Sequence, residues 1–104
     1  MKQIKLQRMD KYEVIWTLRS LEREIEGTYR AKVKGVFGSL AKGEERPNSD
    51  VDVLVEFLEG ATLLDLVGLG LYLEEKLGIP VDIVPIDTIK PELKRQILGE
   101  AIFV

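Results

Sequence analysis

Between residues 10 and 26 the chain places Val14, Leu18, Leu21 and Ile25 on one side of a helical period, with charged residues opposite. The spacing predicts one amphipathic helix, which Gly27 ends. Residues 31–38, AKVKGVFG, carry Val33, Val36 and Phe37 and predict a strand that runs into a glycine turn. SLAKGEE predicts a short helix opening just after Gly38, with Ser39 near its N-terminus. ERPNS predicts a loop, since Pro47 and Asn48 are turn formers. Residues 51–58, VDVLVEFL, are the clearest strand in the chain.

Gly60 breaks that strand. TLLDLVGLGLYLEEKLG then sets Leu63, Leu66, Gly70, Leu73 and Leu77 at heptad-like spacing, predicting a helix over 62–77 with Thr62 as N-cap and Gly78 closing it. Leu63, Leu66 and Leu73 are assigned to the core. Leu64, Leu69, Leu71 and Tyr72 are then surplus, which suggests a partner surface, including one between copies of the chain. A tightly wrapped helix would explain the surplus equally well. Gly68 and Gly70 mark a close approach of another backbone. Residues 79–86 predict a short strand flanked by prolines, PELKRQILGEA a helix with Pro91 in its first turn, and residues 101–104 a final edge strand. Alternating helices and strands predict an α/β (α+β) architecture, a small mixed four-stranded sheet with helices packed on it. One domain spanning residues 1–104 is expected.

Composition narrows the chemistry. The chain has 104 residues, 45% of them hydrophobic, and no histidine or cysteine. Serine–histidine–aspartate and cysteine–histidine catalysis, thiolate metal sites and disulfides are excluded. Carboxylates, hydroxyls, amines and backbone groups remain, and these suit hard, oxygen-liganded cations such as magnesium. The formal net charge of −3 gives no general attraction to nucleic acid or an anionic membrane. The opening residues, MKQIKLQRMDKYE, lack the apolar core of a signal peptide, and no apolar run reaches the ~18 residues of a membrane span. A cytoplasmic location is expected.

Asp50 and Asp52 stand two positions apart where the 51–58 strand begins, so they share a face while Val51 and Val53 take the other. Two neighbouring carboxylates in an apolar strand repel each other, and a divalent cation removes that penalty. Asp82 lies in a second apolar strand between Val81 and Ile83. If the strands are neighbours, three carboxylates converge in the manner of a two-magnesium site, and magnesium bound this way also takes substrate phosphates. Gly38 lets the backbone approach those phosphates, and Ser39 adds a donor at a helix N-terminus. Lys42 and Arg46 fit phosphate contact and plain surface solvation equally well. Asp50 alone would read as a turn cap, and Asp82 alone would fit strand-edge solvation and metal ligation equally well. The segment GSLAKG is not a P-loop, because Glu44 and Glu45 follow where Lys-Ser/Thr is required.

A strand, Gly-Ser, a short helix, Asp-x-Asp in the next strand and a single later aspartate resemble the DNA polymerase β-like nucleotidyltransferases. GSLAKGEERPNSDVD is similar above all to the loop of their minimal members, and the likeness spans roughly residues 10–104. The resemblance implies the nucleotidyltransferase fold, Gly38 and Ser39 on nucleotide phosphates, and magnesium on Asp50, Asp52 and Asp82. It further implies transfer of AMP from ATP to a hydroxyl, in the minimal members a tyrosine of a HEPN-domain toxin that the transferase neutralises. Leu40 departs from the pattern, since family members often carry arginine there. That departure keeps a second expectation in view: a binding module that neutralises the toxin by contact alone.

Overall fold

The computed structural model describes residues 10–38 and 51–104. Its sheet has four strands: β1, Ala31–Phe37; β2, Val51–Phe57; β3, Val81–Pro85; and β4, Ile102–Phe103. Their spatial order is β3-β2-β1-β4, with β2 and β3 parallel and the other two pairings antiparallel. The mixed sheet expected from the sequence is present, and β4 is an edge strand as predicted. Three helices, α1 (Lys11–Ser20), α2 (Glu22–Tyr29) and α3 (Leu63–Leu77), join the β1–β3 strands in one hydrophobic core. A fourth helix, α4 (Pro91–Glu100), follows a short 3₁₀ turn and has no buried residue.

The core forms where the strand alternation faces the helices. Val51, Val53 and Val55 of β2 are fully buried against Val14, Leu18, Ile25, Leu69 and Leu73. Burying side chains of this size contributes about 1.5–3 kcal/mol each. In β1, Val33 and Val36 both enter this core although they are three residues apart. A β-bulge reconciles them: Val33 pairs with Val55 but Gly35 pairs with Leu54, so Lys34 is an extra residue. The Lys34 carbonyl turns to β4 and accepts from the Val104 N–H at 2.9 Å.

The single helix predicted over 10–26 is two helices. In a continuous helix the Leu21 N–H would donate to the Thr17 carbonyl. The Ser20 hydroxyl donates to that carbonyl instead, at 2.7 Å, and the Leu21 N–H turns to Leu18 at 3.2 Å. Gly27 does not end the helix either. The chain continues to Tyr29 and stops at Arg30, which adopts a left-handed φ of 52°. Contacts on both sides of Arg30 fix this end: its N–H donates to Glu26 and its carbonyl accepts from Leu58 at the close of β2.

The face of α3 also differs from the expectation. Leu69, Leu73 and Leu77 are its buried residues, and Leu63 is exposed. The three lie four residues apart, so one stripe serves the core, whereas heptad spacing drifts around a straight helix. Gly68 faces the Tyr29 ring, which a Cβ there would meet at 3.0 Å, and Gly70 faces the Ile83 side chain. Both approaches are to side chains, not to another backbone. Among the described residues no helix is long and apolar enough to cross a membrane.

Candidate functional site

Two of the three predicted metal-binding aspartates lie in the described residues, and the sheet brings them side by side. Asp52 of β2 pairs in register with Asp82 of β3, flanked by the Val51–Val81 and Val53–Ile83 pairs. Register partners on parallel strands project from the same face, about 4.8 Å apart. Val81 and Ile83 pack on the core, so Asp52 and Asp82 point away from the helical layer. Asp52 is half-buried and Asp82 exposed. Both can therefore keep water and other oxygen ligands within reach.

Gly38 completes this corner. Phe37, the last residue of β1, pairs with Asp52, and Gly38 then turns with φ 85°, a conformation that favours glycine. A Cβ on Gly38 would run into the Asp52 carboxylate and stand 3.3 Å from its Cγ. The bare glycine thus leaves room for that carboxylate. Ser39, Lys42, Arg46 and Asp50, with the short helix and loop expected around them, lie outside the described residues. Among the described residues no three carboxylates converge; Asp52 and Asp82 supply two of the expected three.

The donor set fits a hard divalent cation. It consists of paired carboxylate oxygens, one partly sheltered and one open, next to a turn too close for any side chain. A cleft of about 450 Å³ lies elsewhere, beside Glu22, Lys32 and Phe103, and none of these site residues is among its described lining residues.

One contributor has no signature in the sequence. Glu74, near the end of α3, accepts from the Val81 N–H through its carboxylate at 3.0 Å, one residue before Asp82. Its own carbonyl accepts the Gly78 N–H that closes the helix. Glu74 therefore ties the helix end to the start of β3, and in the sequence it looks like any acid on a helix surface.

The chain was compared with known proteins. Residues 18–104 match the model of the nucleotidyltransferase domain. The candidate protein adenylyltransferase MJ0435 of Methanocaldococcus jannaschii is 51% identical over 70% of this chain and 78% of its own length. The protein adenylyltransferase MntA of Thermococcus cleftensis is 36% identical over 88% of this chain and 93% of its own. A solved structure of a candidate minimal nucleotidyltransferase superposes with a TM-score of 0.70 at 44% identity, covering 90% of this chain and 95% of that one. The fold is shared with a toxin–antitoxin solved with AMP-PNP, at TM-score 0.65 and 21% identity, over 91% of this chain and 72% of that one.

Proposed function

Because the chain belongs to the nucleotidyltransferase domain family, we propose that it transfers AMP from ATP to a hydroxyl of a partner protein, with magnesium bound at its aspartates. The observation that carries this reading is the in-register pair of Asp52 and Asp82 beside the left-handed turn at Gly38. The names of the relatives support a protein as acceptor. The toxin–antitoxin of shared fold favours a toxin as partner, and the sequence resemblance favours a HEPN-domain toxin and one of its tyrosines.

Each residue then has a role. The Gly38 backbone and Ser39 hold phosphate oxygens, with Lys42 and Arg46 close enough in sequence to offset remaining charge. Asp50 and Asp52 would hold magnesium on the nucleotide side, and Asp82 would hold it on the side of the acceptor. Magnesium, when bound, neutralises charge on the phosphates and on the departing pyrophosphate. Asp82 takes the proton of the acceptor hydroxyl as its oxygen forms a bond to the α-phosphorus. The bond from that phosphorus to the bridging oxygen breaks in line, and pyrophosphate leaves. No histidine or cysteine nucleophile is required, in keeping with their absence from the sequence.

The test is incubation with ATP, magnesium and a HEPN-domain protein, followed by intact mass measurement. Gain of AMP-sized increments on the partner, reduced roughly 10²-fold or more by Asp52→Asn, is expected. A second reading, neutralisation by contact without catalysis, is favoured by Leu40 and by the exposed leucines of α3. It would be upheld by full neutralisation in the Asp52→Asn chain with no mass change.

A further inference from the structure

A groove of about 240 Å³ runs between α3 and β3, walled by Leu66, Val67, Gly70 and Leu71 on one side and by Val81 and Ile83 on the other. Its polar members are Glu74 and Asp82. Asp82 lies on the edge strand that walls this groove, and its side chain points to the other face of the sheet, beside Asp52. The outer bank of the groove is apolar: Leu64, Val67 and Leu71 recur at i, i+3 and i+7 on α3, and Leu64 and Leu71 are 83% and 64% exposed.

We propose that this groove docks the acceptor protein, and that its occupant is a basic, amphipathic helical segment of that protein. The proposal rests on the reading above that the chain modifies a protein. Two observations select the occupant. The first is charge: among the described residues both ionisable members of the groove are acids and none is a cation, in a chain of net charge −3. Lysines or arginines flanking an apolar stripe complement that lining.

The second observation is the state of the β3 edge. The Pro80 carbonyl accepts from Val51, so alternate residues from Pro80 onward face β2, and Val81, Ile83 and Pro85 face outward. The outward N–H of Val81 is taken by Glu74, and Pro85 has none to give. An incoming strand finds this edge blocked at both ends. A helix needs no edge groups. It can lay apolar side chains against Val67 and Leu71, and a hydroxyl of the same protein can reach Asp82 around the β3 edge.

The test uses the full chain, isotopically labelled for NMR, and three synthetic peptides. One is helical with leucines at i, i+3, i+4 and i+7, lysines elsewhere and a single tyrosine. The second has the same residues in scrambled order, and the third has glutamate in place of lysine. The first peptide is expected to shift amides of residues 66–71 and 81–83, and Leu71→Asp to weaken it about tenfold. The scrambled and acidic peptides should leave those amides in place. The proposal is overturned if the first peptide does not bind, binds elsewhere, or binds no better than the scrambled one. Movement of the same amides with protein concentration alone would assign the groove to a second copy and overturn it too. Magnesium-ATP, followed at the Gly38 amide, should bind the Leu71→Asp chain as it binds the unmodified one. If ATP moves nothing in either chain the transferase reading fails, while the peptide titration still decides what the groove holds.

Discussion

Gly38 occupies a backbone region that costs a residue with a side chain about 1–3 kcal/mol, and a Cβ there would displace the Asp52 carboxylate. Gly38→Ala is therefore expected to lower stability by about that amount. It should also slow AMP transfer further than the lost stability explains, because the carboxylate has to move. Urea unfolding and single-turnover rates at saturating ATP measure the two effects separately. An alanine chain with an unchanged rate would detach Gly38 from the chemistry. Of the residues around this turn, Asp52 is legible in the sequence, since Val51 and Val53 alternate with it. Its partnership with Asp82 is legible only on the condition that the two strands are neighbours, or through the family resemblance. It depends on β2 and β3 lying parallel and in register, which two segments about thirty residues apart do not disclose.

Helix α3 is anchored at its start by Asp65, whose carboxylate accepts from the Thr62 N–H at 2.9 Å and faces the Arg30 guanidinium at 3.4 Å. Asp65→Ala should cost about 1 kcal/mol through the lost cap. The pair with Arg30 adds little, because that side chain is 56% exposed. A urea titration would show the loss, and ATP affinity should not change. Most elements were legible at this scale, because Thr62, Gly78 and Pro91 are punctuation that acts locally. The division between α1 and α2 was not. It follows from one serine hydroxyl taking a carbonyl, and serine occurs in helices without doing so. The core face of α3 escaped for a different reason. Leucines occupy six of the eleven positions from 63 to 73, on every side of the helix, so only the neighbours decide which of them go inside.

Across the molecule, α2 and α3 are clasped by the Tyr72 hydroxyl, which donates to the Glu24 carboxylate at 2.8 Å while its ring lies 5.3 Å from that of Tyr29. Desolvation, with the Glu24 carboxylate beside it, pushes the Tyr72 phenol up from 10.0 to about 12. A phenol that holds its proton more tightly in the folded chain contributes stability that is complete below pH 10. That contribution is lost as pH rises toward 12. Unfolding midpoints measured across this window should fall more steeply for the unmodified chain than for Tyr72→Phe; parallel curves would contradict the shift. The extra residue at Lys34 reaches further still. Before it, partners in β1 and β2 follow Val33–Val55; after it they follow Phe37–Asp52. In a regular β1 of the same length, without the bulge, Phe37 would stand against Val51, Val36 would turn outward and Gly38 would lie a step out of phase with the aspartate it now abuts. Whether this corner can work is thus decided by the parity of a strand, a count that hydrophobicity does not record.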